Sequence, residues 1–167
     1  AITSITCSTV NSYNGLVPRV GGFEGGTVTW APTNITYGHN NRSAQFRLPQ
    51  NRYCIENRAA DMTMNVYLAF SMTLAAAVEG IKMKIHPGKP TDQDLYNMTD
   101  KEFKKLGIKR LPRNLLMALE ALKNDKLSDE VIGTVMKNSL LAYKNDEWER
   151  YHQAVTDWEV KEYLRLY

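Results

Sequence analysis

Five arginines stand in the first 65 residues, Arg19, Arg42, Arg47, Arg52 and Arg58, without a single lysine; all twelve lysines lie after Val66. Lysine is the routine solubilising cation, whereas a guanidinium is a planar, permanently charged fork suited to gripping a carboxylate or a phosphate. The acidic residues divide the same way, three (Glu24, Glu56 and Asp61) against fifteen. An arginine-only stretch rich in Gly, Thr, Tyr and Asn reads as site-forming structure, and the lysine-rich remainder as ordinary helical surface. Chance absence of lysine is the plain alternative. Within Tyr53–Arg58, period-two alternation puts Cys54, Glu56 and Arg58 on one strand face and Tyr53, Ile55 and Asn57 on the other. Two readings of the Glu56–Arg58 pair stand open, a polar cavity or a surface ion pair.

The elements that must carry these residues are short strands. Thr27–Trp30 follows a flexible Gly21-Gly22-Phe23-Glu24-Gly25-Gly26 segment, Ile35–Tyr37 is a second strand, Ala44–Leu48 alternates until Pro49 stops it, and Tyr53–Arg58 is a fourth. From Asn65 the pattern turns helical. Residues 66–85 are apolar on most sides, which predicts a buried helix ended by Pro87-Gly88. Thr99-x-x-Glu102 is a capping box for a short helix that Gly107 stops. Pro112 precedes a helix through Leu115, Leu119 and Leu122, Ser128-Asp129-Glu130 opens a longer one towards Tyr151, and Thr156-x-x-Glu159 caps the last. Strands followed by helices predict an α+β fold, with a strand and loop part over 1–65 and a helical part over 66–167. Ala1–Thr6 offers no start signal and no cap. So small a sheet, with arginines of this kind, calls for a partner that the chain does not contain.

Composition sets the outer bounds. The 167 residues are 43% apolar with a formal charge of +3, enough to bury a core and against intrinsic disorder. No apolar run reaches the ~18 residues that span a bilayer, so no membrane partner is expected. Two cysteines, Cys7 and Cys54, make neither a disulfide framework nor a metal spacing, which points to a reducing, cytoplasmic setting. His39, His86 and His152 lie far apart with no ligand spacing, and read as surface or packing residues. The arginines are not interleaved with stacking aromatics, so no nucleic-acid partner is expected either.

Several motifs in order resemble the glutamine synthetase family: Asn11-Ser12-Tyr13, Asn41-Arg42-Ser43 with Arg47-Leu48-Pro49, Ile55-Glu56-x-Arg58, and Asp61 with Asn65-x-Tyr67-Leu68-Ala69. Further along come Gly80-Ile81-Lys82, Ile85-x-Pro87-Gly88, Leu111-Pro112 and Thr156-x-Trp158-Glu159. Thr29-Trp30-Ala31-Pro32 followed by Tyr37-Gly38-x-Asn40-Asn41 is similar to the γ-glutamylmethylamide synthetases of that family. The resemblance covers the C-terminal part of a family member and implies the last, antiparallel strands of its catalytic domain with a helical tail. It implies an ATP-dependent ligase that joins glutamate, or a related acid, to ammonia or a small amine through an acyl phosphate. Its cofactors would be ATP with Mg²⁺ or Mn²⁺, its partners the upstream part of the same enzyme and further copies in a homo-oligomer. It assigns Arg42 to the γ-phosphate and glutamate end of the site, Arg47 to ATP phosphates, Glu56 to metal and Arg58 to the acid. Trp148, Tyr151, Trp158, Tyr163 and Tyr167 are then either core or subunit-packing aromatics.

The departures are specific. Asn14-Gly15 stands where the family has an arginine for the substrate carboxylate. Cys54 replaces a family arginine two residues before the metal glutamate, with Arg52 near enough to substitute. Ala60, Thr63 and Val66 stand at places where the family has prolines, and Glu24 is the available candidate for the flap glutamate. These differences motivate a second reading, a non-catalytic relative with a role in assembly or regulation. On either reading, the chain by itself has an incomplete active site.

Overall fold

The structure is a computed structural model that describes residues 1–18 and 30–166. In chain order it contains α1 (Ile2–Thr6), a 3-10 helix (Val10–Leu16), β1 (Asn34–Gly38), β2 (Ala44–Arg47), β3 (Glu56–Asn57) and α2 (Val66–Lys82). Then follow α3 (Asp100–Leu106), β4 (Lys109–Arg110), α4 (Leu115–Lys123), α5 (Lys126–Ile132), α6 (Thr134–Gln153) and α7 (Asp157–Tyr163). The class is α+β, as expected, but the order is less simple than strands followed by helices. The first sixteen residues are mostly helical, and one strand comes from the helical part.

α1 illustrates tertiary override. Ile-Thr-Ser-Ile-Thr is β-branched and poorly disposed to helix, and Ala1 gives no side-chain cap. Yet Thr3, Ser4, Ile5 and Thr6 are all buried, and their hydroxyls are satisfied inside. Thr6 Oγ1 donates to the Ala59 carbonyl at 3.0 Å and Ser4 Oγ to that of Ala1 at 2.7 Å. Cys7 joins Tyr13, Leu16, Ala59, Leu111, Leu115, Ala118 and Leu119 in one apolar cluster. Burial, with the nearby Asp61 charge, pushes its thiol up to about 12, so it is an inert packing residue.

The sheet runs β3-β2-β1-β4. It is mixed, not wholly antiparallel: β1 and β2 are parallel, whereas β1–β4 and β2–β3 are antiparallel. Parallel neighbours ordinarily need a long crossover, yet only residues 39–43 lie between β1 and β2. The return is made by a short run of bends at residues 39, 40, 42 and 43. Gly38 is required where it starts, since a Cβ there would sit 2.5 Å from the Thr91 carbonyl oxygen. The expected strand at Tyr53–Arg58 shrinks to Glu56–Asn57, and that at Thr27–Trp30 lies, up to Thr29, outside the described residues.

Two helical expectations are corrected. The helix predicted from Ser128 towards Tyr151 is two helices, because Gly133 takes φ 77° and ψ 149°, a conformation open essentially to glycine alone. α2 is not buried: only Ala69 and Met72 are covered, while Tyr67, Phe70, Leu74 and Ile81 are exposed. Its apolar pattern says what needs cover, and among the described residues α1 and α5 supply most of it. Its start is as read, with the Asn65 side chain accepting from the Tyr67 and Leu68 N–H groups. Both capping boxes form as well, Thr99 with Glu102 and Thr156 with Glu159. Trp148 packs against the core and stacks on His152, their ring centroids 5.7 Å apart, whereas Trp158 and Tyr163 meet edge to face on the exposed side of α7. No helix of the described residues is long and apolar enough to cross a membrane.

Candidate functional site

The return between β1 and β2 places Arg42. Asn41 on one side of it is buried, and its amide donates to the Thr91 and Gln93 carbonyls at 2.7 and 2.9 Å. Its Oδ1 accepts from the Ser43 N–H at 2.8 Å and the Ser43 hydroxyl at 2.5 Å, and Ser43 is 2% exposed. Two buried polar residues thus pin the turn to the 91–95 segment, and Arg42 between them is left exposed. The Asn-Arg-Ser order is therefore a mounting for one exposed guanidinium. His39 braces the same turn: its N–H donates to Asp92 Oδ1 at 2.6 Å and its ring pairs with Oδ2 at 3.0 Å. These bonds hold the Asp92 carboxyl below its usual range.

β2 and β3 carry the rest. Their register sets Arg47 directly opposite Glu56, and Arg47 Nη1 reaches Glu56 Oε2 at 3.2 Å. Arg52 Nη2 approaches the same oxygen at 3.5 Å, and Arg58 Nε lies 3.4 Å from Oε1. Three guanidiniums share one carboxylate. Burial lowers Arg58 from its ordinary value, Glu56 opposes this, and Arg42 and Arg47 add to it; an arginine stays charged all the same. Arg47 Nε is buried without a hydrogen-bond partner among the described residues, an unmet donor that costs about 1–3 kcal/mol where no anion takes it. The Glu56–Arg58 alternative is thus resolved as an ion pair, and one inside a cationic cluster.

Arg42 differs from the other three. Among the described residues its side chain makes no hydrogen bond or ion pair, and its guanidinium carbon lies 3.6 Å from the centre of the Trp30 ring. Such a stack is worth about 0.5–1 kcal/mol at an exposed site. Arg58 ties both partners down, its Nη1 donating to the Arg42 carbonyl and its Nη2 to that of Trp30 at 2.8 Å. The Tyr96 hydroxyl donates to the Ala31 carbonyl at 2.7 Å. Between Trp30 with Arg42 and the 92–96 segment lies an open cleft of about 450 Å³.

The structure brings together Arg42, Arg47, Arg52, Arg58 and Glu56 from β2, β3 and the loops that flank them. Glu24 and Arg19 lie outside the described residues. Gly15 is exposed, and a side chain there would meet nothing within 4 Å, so packing does not forbid the arginine that the resemblance leads one to expect. Arg52 lies 3.5 Å from Glu56 Oε2, and Cys54 is exposed. Trp30 and Tyr96 were missed as site residues, because their roles run through backbone carbonyls and a ring face that spacing does not reveal. A divalent cation does not fit these residues alone. No group of three metal-ligating side chains exists among the described residues, and both Glu56 oxygens already face arginines.

A mixed sheet with three guanidiniums against one carboxylate, and a fourth stacked on a ring nearby, defines a segment suited to binding a carboxylate or a phosphate. Its family follows from sequence. The model of the glutamine synthetase catalytic domain matches residues 1–163, and this chain belongs to the glutamine synthetase family. It is 41% identical over 167 residues to a glutamine synthetase of Methanocaldococcus jannaschii, covering 98% of this chain and 35% of that protein. It is 40% identical over 167 residues to a glutamate–methylamine ligase of Methyloversatilis universalis, covering 100% and 36%. A solved GmaS–ADP complex superposes with a TM-score of 0.80 at 32% identity, over 98% of this chain and 36% of that one. The chain thus spans about a third of the length of the curated relatives it matches.

Proposed function

We propose that this chain is the C-terminal segment of an ATP-dependent carboxylate–amine ligase, which forms a γ-glutamyl amide from glutamate or a related acid and ammonia or a small amine. The observation that carries the reading is the cluster itself: three arginines around one carboxylate and a fourth, Arg42, uncommitted beside them, in a chain of this family. Phosphoryl transfer to a carboxylate leaves little covalent work to the protein and asks mainly for positioned positive charge. In this reading Arg42 faces the transferring γ-phosphoryl group and the acid, Arg47 and Arg52 face the ATP phosphates, and Arg58 holds the acid. Charge placed there favours the acyl phosphate, and closure over it keeps water away. Glu24 is the proposed flap glutamate, and Glu56 the one carboxylate that this chain lends to Mg²⁺ or Mn²⁺. Because Glu56 cannot hold a metal here by itself, the other ligands come from an upstream part of the same cytoplasmic, homo-oligomeric enzyme.

Identity does not choose the amine, being 41% to the glutamine synthetase and 40% to the methylamine ligase. Gly15, open and uncharged, favours an altered grip on the acid, and it also keeps a non-catalytic relative in view. The test is phosphate release from ATP by this chain together with its upstream part, with Mg²⁺ or Mn²⁺. Glutamate and other dicarboxylates would each be offered with ammonia, methylamine and larger amines. Amine-dependent release with any pair is expected. Silence across the panel from folded, assembled protein overturns the ligase and leaves the non-catalytic relative. The chain alone should release none, and turnover by it would sink the claim of an incomplete site.

A further inference from the structure

We propose that Trp30 is a positioning residue for Arg42: its indole face is the platform that holds the one uncommitted guanidinium of the cluster pointing into the cleft. This rests on Arg42 being the anion-receiving group of the proposed function.

Arg47, Arg52 and Arg58 are each oriented by Glu56 at 3.2 to 3.5 Å. Arg42 has no carboxylate to orient it among the described residues; its guanidinium lies on the Trp30 ring, 3.6 Å from the centre. An arginine tied by an ion pair has donors already spent, whereas one stacked on a ring keeps its in-plane N–H fork for an incoming anion. The platform is itself anchored. Arg58 donates to the Trp30 carbonyl at 2.8 Å and to the Arg42 carbonyl, so one guanidinium fixes the backbone of both stacked residues. Tyr96 holds the next carbonyl, that of Ala31, at 2.7 Å. Trp30 is 54% exposed, too open to be kept as a core residue, which is what a platform at a cleft wall requires.

A double-mutant cycle on the affinity for inorganic phosphate, in the complete enzyme, separates positioning from packing. With Arg42 present, Trp30→Ala should weaken phosphate about fivefold and Trp30→Phe about twofold, following the order of ring strength towards a cation. Arg42→Ala should weaken it about tenfold, and Trp30→Ala should add nothing further in that background. If Trp30→Ala costs as much without Arg42 as with it, or costs nothing with it, the platform role is overturned while the anion site stands. If Arg42→Ala leaves phosphate binding unchanged, the anion-site reading falls and the Trp30 role with it. Should the alanine variant fail to fold, judged by its melting curve, the same cycle with Trp30→Phe decides: a loss that vanishes in the Arg42→Ala background supports the platform, and one that persists overturns it.

Discussion

The Glu56 cluster and the Lys137–Asp129 pair use the same chemistry to opposite ends. Lys137 is 4% exposed in its side chain, and its ammonium donates to Asp129 Oδ2 at 2.9 Å and to the Asp125 carbonyl at 2.7 Å. It fastens the first turn of α6 to the capped start of α5, where Asp125 also accepts from the Ser128 N–H. Charge is matched one to one and buried donors find acceptors. Around Glu56, three guanidiniums crowd one carboxylate, a fourth stacks nearby on a ring, and a buried Nε goes unpaired. A balanced pair is complete and holds the fold together. An unbalanced one is completed only by an anion from outside. Stoichiometry and unmet donors distinguish the two, which counting ion pairs would not.

Three experiments press on that contrast. The largest effect is expected at the staple. Lys137→Ala leaves the Asp125 carbonyl and the Asp129 carboxylate without their buried donor, and should cost about 2–3 kcal/mol of stability, read as a lower urea midpoint. An unchanged midpoint would mean the pair fastens nothing. At the cluster, Glu56→Gln removes the negative charge that competes with an incoming anion. It should tighten binding of inorganic phosphate about fivefold, an estimate from two partial charges at a partly wet surface, while ending turnover in the complete enzyme. Weaker phosphate binding would make Glu56 an organiser of the arginines and not their competitor.

The smallest effect is on pH. Burial pushes the Asp61 carboxyl up, but the Thr63 N–H and the Thr63 and Ser12 hydroxyls outweigh it and set it below the usual 3.8. A depressed acid stabilises above the unfolded value and loses that contribution as pH falls through the folded one. Asp61→Asn should therefore flatten the acid end of the stability curve, below about pH 4, by a few tenths of a kcal/mol after solvent screening. An unaltered slope in that window would remove Asp61 from the acid response.

Much of this was legible in the residues. Arginine without lysine drew attention to the first 65 residues, and the structure brings Arg47, Arg52 and Arg58 to Glu56, with the Arg42 carbonyl accepting from Arg58. Capping boxes at Thr99 and Thr156 and the αL stop at Gly107, φ 68°, were local and were read correctly. Other features were not legible, for different reasons. α1 is helical because Ala69, Met72 and Leu122 bury its Ile5 against local propensity. The parallel pairing of β1 with β2 rests on Asn41 reaching Thr91 and Gln93, fifty residues on. The exposure of α2 depends on which neighbours this chain supplies.

The sequence by itself determined the inventory: the charge types, the caps, the apolar stripes and the motif order that assign the family. These depend on neighbours within a turn or a strand period, where spacing and geometry are one. Only the tertiary structure decided which arginine is left uncommitted. Arg42, Arg47, Arg52 and Arg58 are chemically alike, and what separates them is whether Glu56 or the face of Trp30 lies within reach, a matter of distance through space.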